Sequence, residues 1–183
     1  MDEKYKIVLY TFDRSEDKLL ISVLTKHYNN FEIVSSTHQL AEQLLDKDPK
    51  VILISCREFN ESITFYYQTF NEVKNKKYCE HLFVTLINRH DEKAAFDAFK
   101  AGVIDDYLVS RPLYEVHRPV LICGHLLKEL GIVTFGGKGL DYIYEEERYS
   151  QDTRKAVSLG LESKEKLQRN FEVSIQKISN AID

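Results

Sequence analysis

The sequence predicts an α/β fold with a doubly wound, five-stranded parallel sheet and a C-terminal helical extension. Short, almost wholly apolar runs alternate with longer stretches whose apolar residues recur every three or four positions. The runs are typical of strands buried on both faces, and the stretches are typical of amphipathic helices. Strands that alternate with helices form parallel sheets through right-handed crossovers. Glycine marks where the alternation stops, because only Gly102 precedes residue 124 and four of the seven glycines lie within 131–139.

Three strands and two helices are predicted in the first part of the chain. The strands are residues 5–12, 31–35 and 51–55. The third strand reads VILIS, and its four consecutive aliphatic residues are typical of a central strand. A helix follows the first strand, with Ser15 as its N-cap and with Glu16 and Asp17 in its first turn. A second helix is capped by Thr37 and stops at Pro49.

Two further strands and three further helices follow. The strands are residues 82–87 and 107–109, and the helical patterns cover 63–73, 93–101 and 120–130. Gly102 ends the helix before the fifth strand, because glycine tolerates the left-handed conformation found there. Pro119 is acceptable in the first turn of the last helix. Ligands of such sheets bind at the carboxyl ends of the strands. The loops that could form a site are therefore residues 11–15, 55–59, 87–91 and 110–113.

We divide the chain into a sheet domain, a Gly-rich and charged linker, and an amphipathic C-terminal helix. Their boundaries are residues 1–130, 131–150 and 151–183. Apolar side chains in the last part fall on steps of three and four, which predicts a short seam of two heptads. The contact residues expected there are Phe171, Ile175, Ile178 and Ile182. This seam could close a homodimer, receive another chain or pack against the sheet domain.

Composition argues against several classes of function. Lysine and arginine number 25 against 29 aspartates and glutamates, so a net charge of −4 disfavours nucleic-acid binding by a basic face. No apolar run approaches the about 18 residues of a membrane span, and the N-terminus has no signal-peptide core. The three cysteines form no CxxC pair, which favours reduced thiols and a cytoplasmic location. The six histidines have no metal-ligand spacing, so we expect neither a metal nor a cofactor.

Two segments together resemble the receiver domain of bacterial two-component response regulators. One is 101–108 (AGVIDDYL), followed by Arg111 and Pro112, and the other is 87–92 (INRHDE). The resemblance covers residues 5–130 and implies a flavodoxin-like, receiver-type sheet. In that family a carboxylate after the third strand accepts a phosphoryl group, while two acids after the first strand hold Mg²⁺. A hydroxyl after the fourth strand and a lysine after the fifth strand then bind the phosphate.

The residues at the matching positions depart from this chemistry. They are Thr11, Phe12, Asp13, Ser55, Ile87 and Arg111. Ser55 stands at the acceptor position and cannot form an acyl phosphate, and only Asp13 is acidic near the expected magnesium site. Ile87 replaces the hydroxyl and Arg111 replaces the lysine. Arg111 could bind an anion, or it could pair with Asp13 or Glu58. The resemblance therefore implies a degenerate pocket, as in a pseudo-receiver.

We therefore expect a non-enzymatic signalling or adaptor module that acts by protein–protein contact without aspartyl phosphorylation. The resembling family uses its fourth helix, fifth strand and fifth helix for dimerisation and output. The apolar residues that correspond to this surface are Phe96, Phe99, Tyr107 and Tyr114. The expected partners are other proteins of a signalling pathway and a second copy of the chain.

Two other functions stay open at this point. A flavodoxin-like small-molecule or redox protein would use Cys56 and Arg111, although no Lys or His adjoins Cys56 to lower its pKa. A transcription-regulating response regulator would use the C-terminal region as its output. That region has nearly balanced charge and no helix-turn-helix pair with a basic recognition helix, which opposes this second alternative.

Overall fold

A computed structural model describes residues 4–132, 155–156, 159, 162, 165–177 and 179–180. The chain divides into two compact units, Met1–Thr134 and Phe135–Asp183, and each is described by itself. The predicted linker, residues 131–150, lies almost entirely outside the described residues. The three-part division of the chain therefore stays a prediction.

The first unit contains five strands, five α-helices and one short 3₁₀ turn among its described residues. In chain order they are β1 (Lys6–Thr11), α1 (Lys18–His27), β2 (Phe31–Val34), α2 (Thr37–Leu45), β3 (Lys50–Ser55), α3 (Phe59–Val73), β4 (His81–Asn88), the 3₁₀ turn (Arg89–Asp91), α4 (Glu92–Lys100), β5 (Asp106–Arg111) and α5 (Arg118–Glu129).

The sheet is wholly parallel and its strand order is β2-β1-β3-β4-β5. This is the flavodoxin-like order, and it confirms the predicted doubly wound α/β fold. All six residues of β3 are buried, as expected for a central strand. The direction of winding reverses between β1 and β3. The carboxyl ends of these two strands are therefore the first place to look for a site.

Helices cover both faces of the sheet, and each face has its own apolar core. On the first face, Leu24 of α1 and Leu126 of α5 pack in one cluster with Leu9 of β1. On the second face, residues of α2, α3 and α4, among them Ala95, pack in another cluster with Val8 of β1. Val8 and Leu9 belong to different clusters because neighbouring residues of a strand point to opposite faces. We call these the α1–α5 face and the α2–α4 face.

Two helix starts differ from the prediction. Ser15 is not the N-cap of α1, which begins at Lys18 and is preceded by Asp17. Thr37 is the first residue of α2 rather than its cap, because the Oγ of Ser36 accepts the amide of the third helical residue at 3.2 Å. Each error has the same physical cause. Several consecutive residues at each start are able to cap a helix, and their sequence alone does not distinguish them.

Other details of the first unit are close to the expectation. Gly102 has φ of +71° at the end of α4, and Pro119 lies in the first turn of α5. β5 is longer than predicted, because it extends over Asp106–Arg111 instead of stopping at Val109. A register shift between Ile87 and Asn88 skips Ser110, so the ladder passes from Ile87–Val109 to a last pair, Asn88–Arg111.

The described residues of the second unit are helical, with a continuous run over 165–177. Phe171 is 66% exposed and Ile175 is 52% exposed. Ile178 and Ile182, the other two predicted seam residues, lie outside the described residues. None of the helices in the described parts of the chain is both long and apolar enough to cross a bilayer.

Candidate functional site

Strand pairing brings most of the predicted pocket residues to the carboxyl edge of the sheet. Thr11 and Ser55 are direct partners in the β1–β3 ladder. The amide of Phe12 donates to the carbonyl oxygen of Ser55 at 3.0 Å. Asn88 and Arg111 are partners at the ends of β4 and β5. We call this region the strand-end pocket.

Ser55 lies at the position where the resemblance places the phosphoryl acceptor. Its side chain is fully buried, and its Oγ has no hydrogen-bond partner among the described residues. A serine hydroxyl cannot form the mixed anhydride that an aspartate forms with a phosphoryl group. The acceptor position therefore holds a neutral, enclosed group without the required chemistry.

The end of β1 carries a buried hydrogen bond between Thr11 and Asp17. Thr11 Oγ1 donates to Asp17 Oδ2 at 2.6 Å, and Asp17 is only 2% exposed. Thr11 Oγ1 also accepts the amide of Asp13 at 3.2 Å. The sequence predicts Asp17 in the first turn of α1 and does not indicate this contact. The signal that could have revealed Asp17 was its position just before the periodic apolar residues of α1.

Asp13 is half-buried and stabilises the loop after β1. Its Oδ1 accepts two hydrogen bonds from Ser15, from the backbone amide at 2.8 Å and from the hydroxyl at 2.6 Å. Both hydrogen bonds lower the pKa of Asp13, and the one from the Ser15 hydroxyl has the larger effect. The charge of Arg57 lowers this pKa by a smaller amount. The carboxylate is therefore already engaged by its own loop.

Ile87 and Thr85 do not supply a hydroxyl to the strand-end pocket. Ile87 is 1% exposed and belongs to the core of the α2–α4 face. Thr85 is fully buried two residues earlier on the same strand, and its Oγ1 has no partner among the described residues. Because residues two apart on a strand share a face, both side chains point into that core. The phosphate-binding hydroxyl of the resembling family has no counterpart here.

Arg111 is held by a carbonyl group and an aromatic ring. Its Nη2 donates to the carbonyl oxygen of Cys56, and its guanidinium carbon lies 5.1 Å from the centre of the Phe12 ring. The guanidinium of Arg57 lies 5.6 Å from the centre of the same ring. In the described parts of the chain, no carboxylate lies within 4.0 Å of Arg111. Of the two alternatives left open for Arg111, the ion pair with Asp13 or Glu58 is therefore not formed among the described residues, and Arg111 donates to a backbone carbonyl instead.

Cys56 lies beside this arginine, but its environment opposes reactivity. The side chain is 6% exposed. Burial has the largest effect on the pKa of the Cys56 thiol and raises it. The nearby charge of Glu61 raises this pKa further, and the charge of Arg111 lowers it by a smaller amount. A groove of about 380 Å³ opens here, and its lining includes Tyr10, Phe12 and Cys56. A protonated thiol is a weak nucleophile, so this groove lacks the activated group that a redox site needs.

A second, larger groove lies between α4, β5 and α5. It has a volume of about 560 Å³, and its lining includes Phe96, Phe99, Tyr107, Leu108, Val109, Tyr114 and the charged residues Glu92, Asp106, Glu115 and Arg118. Phe96, Phe99 and Tyr114 are 46%, 44% and 68% exposed. The structure therefore brings the four aromatic residues named in the sequence analysis into one surface, which we call the α4–β5–α5 groove.

One group of side chains combines residues that commonly bind metals. Glu58 follows β3, and His90 and Asp91 lie in the 3₁₀ turn after β4. One potential ligand atom from each of the three lies within 4.8 Å of the others. Sequence spacing did not reveal this group, because Glu58 is far from the other two residues along the chain. The neighbouring positions of β3 and β4 in the sheet bring the loops together.

Comparisons with known proteins add little beyond the fold. No protein-family model matches the chain, and no curated protein matches it. An adenylate cyclase structure from Rhodopirellula baltica aligns with a TM-score of 0.40 and 17% identity, over 72% of this chain and 96% of that one. The response regulator LqsR from Legionella pneumophila aligns with a TM-score of 0.34 and 12% identity, over 79% and 56% of the respective chains.

These similarities are too low to identify a function. The class of fold follows instead from the strand order and the parallel connections, which define a flavodoxin-like, doubly wound α/β domain.

Proposed function

We propose that this protein is a signalling or adaptor module that acts by protein–protein contact and does not use aspartyl phosphorylation. The observation that carries the proposal is the α4–β5–α5 groove, which presents three aromatic side chains to solvent. Aromatic residues are enriched among the anchors of protein interfaces. Burying a fully exposed side chain of this kind is worth about 1.5–3 kcal/mol. These three are already partly buried, so each contributes less than that to association.

The strand-end pocket supports the second half of the proposal. Ser55 and Thr11 are neutral where the resembling family has an acceptor carboxylate and a magnesium ligand. The carboxylate of Asp17 is occupied by Thr11, and that of Asp13 is occupied by Ser15. A phosphoryl group would find neither an acceptor nor the acidic pair that positions Mg²⁺.

The charges around the groove indicate the chemistry of a partner. Glu92, Asp106 and Glu115 contribute three carboxylates, and Arg118 contributes one guanidinium to the lining. A complementary surface would place apolar side chains on the rings and basic groups at the rim. We further propose that the C-terminal apolar seam, with Phe171 and Ile175, mediates a homodimer and that the module works in the cytoplasm.

Phosphorylation is tested by incubating the full chain with acetyl phosphate and Mg²⁺ and measuring intact mass. We expect no adduct. Stoichiometric labelling that resists acid and is lost in base would overturn the proposal.

The two contact surfaces are tested by sedimentation equilibrium of the full chain. We expect a dimer that is lost when Phe171 and Ile175 are both changed to Ser. The change Phe96→Ala with Phe99→Ala leaves this dimer intact but weakens binding of a partner that recognises the groove. Leu19→Ala is the matched control, because Leu19 is 50% exposed on α1, outside the groove. A chain that is monomeric at all concentrations would contradict the homodimer.

A further inference from the structure

Two adjacent loops at the carboxyl edge of the sheet carry an unassigned set of metal-ligating side chains. Ser55 and Leu86 pair near the ends of β3 and β4, so the loops that follow these strands emerge side by side. Glu58 lies in the first loop, and His90 and Asp91 lie in the second. The ligand atoms of all three fall within 4.8 Å of one another.

A hydrogen bond fixes the spacing of these two loops. Asn88 Nδ2 donates to the carbonyl oxygen of Arg57 at 3.0 Å. Arg57 immediately precedes Glu58, and Asn88 lies two residues before His90. The backbones that carry the ligands are therefore tied together before any ion binds, which reduces the cost of assembling a site.

The carboxylate of Asp91 provides a second and independent observation. Its Oδ2 atom is buried, yet it has no hydrogen-bond partner among the described residues. The Asp91 side chain as a whole is 17% exposed, and its Oδ1 lies 3.5 Å from His90 Nε2. A buried carboxylate oxygen without a donor is unfavourable, and a bound cation removes that deficit.

In the described parts of the chain, no lysine or arginine forms an ion pair with either carboxylate. Over the described residues, neither Glu58 nor Asp91 lies within 4.0 Å of a lysine or arginine nitrogen. Among the described residues, His90 is the basic side chain that lies within 4.0 Å of Asp91. When its imidazole is neutral, it offers a ring nitrogen as a ligand instead of a positive charge.

We propose that Glu58, His90 and Asp91 bind a divalent first-row transition metal of the zinc type. One imidazole with two carboxylates suits Zn²⁺ better than Mg²⁺ or Ca²⁺, which take oxygen ligands. Ligands at about 2.1 Å around a tetrahedral ion lie about 3.4 Å apart. Glu58 precedes α3 and shares a capping box with Glu61, so its carboxylate would leave this cap, and the exposed side chain of His90 would turn inward, to reach that spacing. Water completes the coordination.

One proposed metal ligand adjoins a residue of the α4–β5–α5 groove along the chain. Asp91 directly precedes Glu92, which is the first residue of α4 and part of the groove lining. Metal binding would therefore fix the start of α4. The metal proposal does not depend on the proposed adaptor function, because it concerns the binding of Zn²⁺ itself.

Isothermal titration of the metal-free, untagged full chain with Zn²⁺ tests the proposal. We expect binding of one ion, and we expect His90→Gln and Asp91→Asn each to weaken it by about tenfold or more. His38→Gln is the matched control, because His38 is also exposed and lies 3.5 Å from a single carboxylate, that of Glu42. It is expected to bind Zn²⁺ like the unchanged protein.

Three results would overturn the proposal. The first is no measurable binding of Zn²⁺, and the second is tighter binding of Mg²⁺ than of Zn²⁺. The third is normal binding by His90→Gln together with a loss in His117→Gln, since the rings of His27 and His117 lie 6.4 Å apart and form another candidate pair. Thermal unfolding of each variant without metal checks that the fold is retained. His90 is 69% exposed, so its substitution is expected to leave stability unchanged.

Discussion

The guanidinium of Arg111 lies over the ring of Phe12, with 5.1 Å between its central carbon and the ring centre. Phe12 stands where the resemblance places an acid, and Arg111 stands where it places a lysine. In this structure the guanidinium therefore faces an aromatic ring where the resemblance implies a charged partner. This contact attracts the cation without a carboxylate, a metal or a phosphoryl group.

Replacing Arg111 by alanine is expected to destabilise the sheet domain by about 2 kcal/mol. The change removes a charge-assisted hydrogen bond to the Cys56 carbonyl and the contact with Phe12. Urea unfolding followed by circular dichroism measures the effect. Arg57→Ala is the control, because Arg57 contacts the same ring, and we expect it to cost about 0.5–1 kcal/mol. Equal effects of the two changes would contradict the role given to the Cys56 hydrogen bond.

Replacing Thr11 by valine is expected to cost about 2 kcal/mol or more. The valine keeps the shape of the side chain but leaves the buried Asp17 carboxylate without its 2.6 Å hydrogen bond. Thr11→Ser retains the hydroxyl and should cost less. The free energy of unfolding of both variants, measured in urea at neutral pH, decides the matter. The expectation fails if valine and serine are equally well tolerated.

His81 is expected to make stability depend on pH below neutrality. Burial lowers the pKa of the His81 imidazole. Its Nδ1 lies 3.0 Å from the Cys79 carbonyl oxygen, which can only accept, so Nδ1 carries the proton. Nε2 of the neutral ring then accepts the Tyr66 hydroxyl at 2.9 Å. A second proton would displace that hydrogen bond.

The sign of the effect follows from the lowered pKa. At a pH above about 6.5, the ordinary pKa of histidine, the His81 imidazole is neutral in both the folded and the unfolded chain, so it does not reduce the free energy of unfolding. As pH falls below that value the unfolded chain binds a proton that the folded chain resists, so stability decreases toward the folded pKa. Unfolding in urea at pH 7.5 and 5.5 should show this loss. His81→Asn should flatten the dependence, whereas His38→Asn at an exposed position should not.

The cysteines are expected to react slowly with thiol reagents in the folded protein. Burial raises the pKa of Cys56 and raises that of Cys123 to about 12. All three thiols should react rapidly once the chain is unfolded in denaturant. Titration with a chromogenic disulfide at pH 8 gives both rates, and Cys56→Ala identifies the contribution of that residue. Fast modification of native Cys56 would favour the redox alternative over the adaptor.

The fold could be predicted well from the sequence because strands buried on both faces consist of consecutive apolar residues. The run VILIS is β3, at the centre of the sheet, and Gly102 has the positive φ expected after α4. Local capping was harder, since Ser15, Glu16 and Asp17 compete for the same helix start. The structure selects a start at Lys18 because Asp17 turns inward to Thr11. No periodic pattern contains that information.

The candidate sites show a similar division. Positions at strand ends could be assigned from motifs and spacing, which placed Ser55 and Arg111 at the carboxyl edge. The group formed by Glu58, His90 and Asp91 could not be predicted in this way. Its members come together only because β3 and β4 are neighbours in the folded sheet. The exposure of individual aromatic side chains could not be predicted either. Phe59, which is buried, and Phe96, which is exposed, both belong to helices, and the spacing of apolar residues does not distinguish them.

The hydrogen bond from Thr11 to Asp17 has a consequence for how related chains are compared. At the position where the resemblance implies an acid at the end of β1, this sequence has Thr11. In three dimensions the carboxyl group of Asp17, six residues later and just before α1, has its Oδ2 atom 2.6 Å from the threonine hydroxyl. Surveys that count retained acids by aligned position would record this pocket as neutral, whereas a survey by distance would record one buried carboxylate.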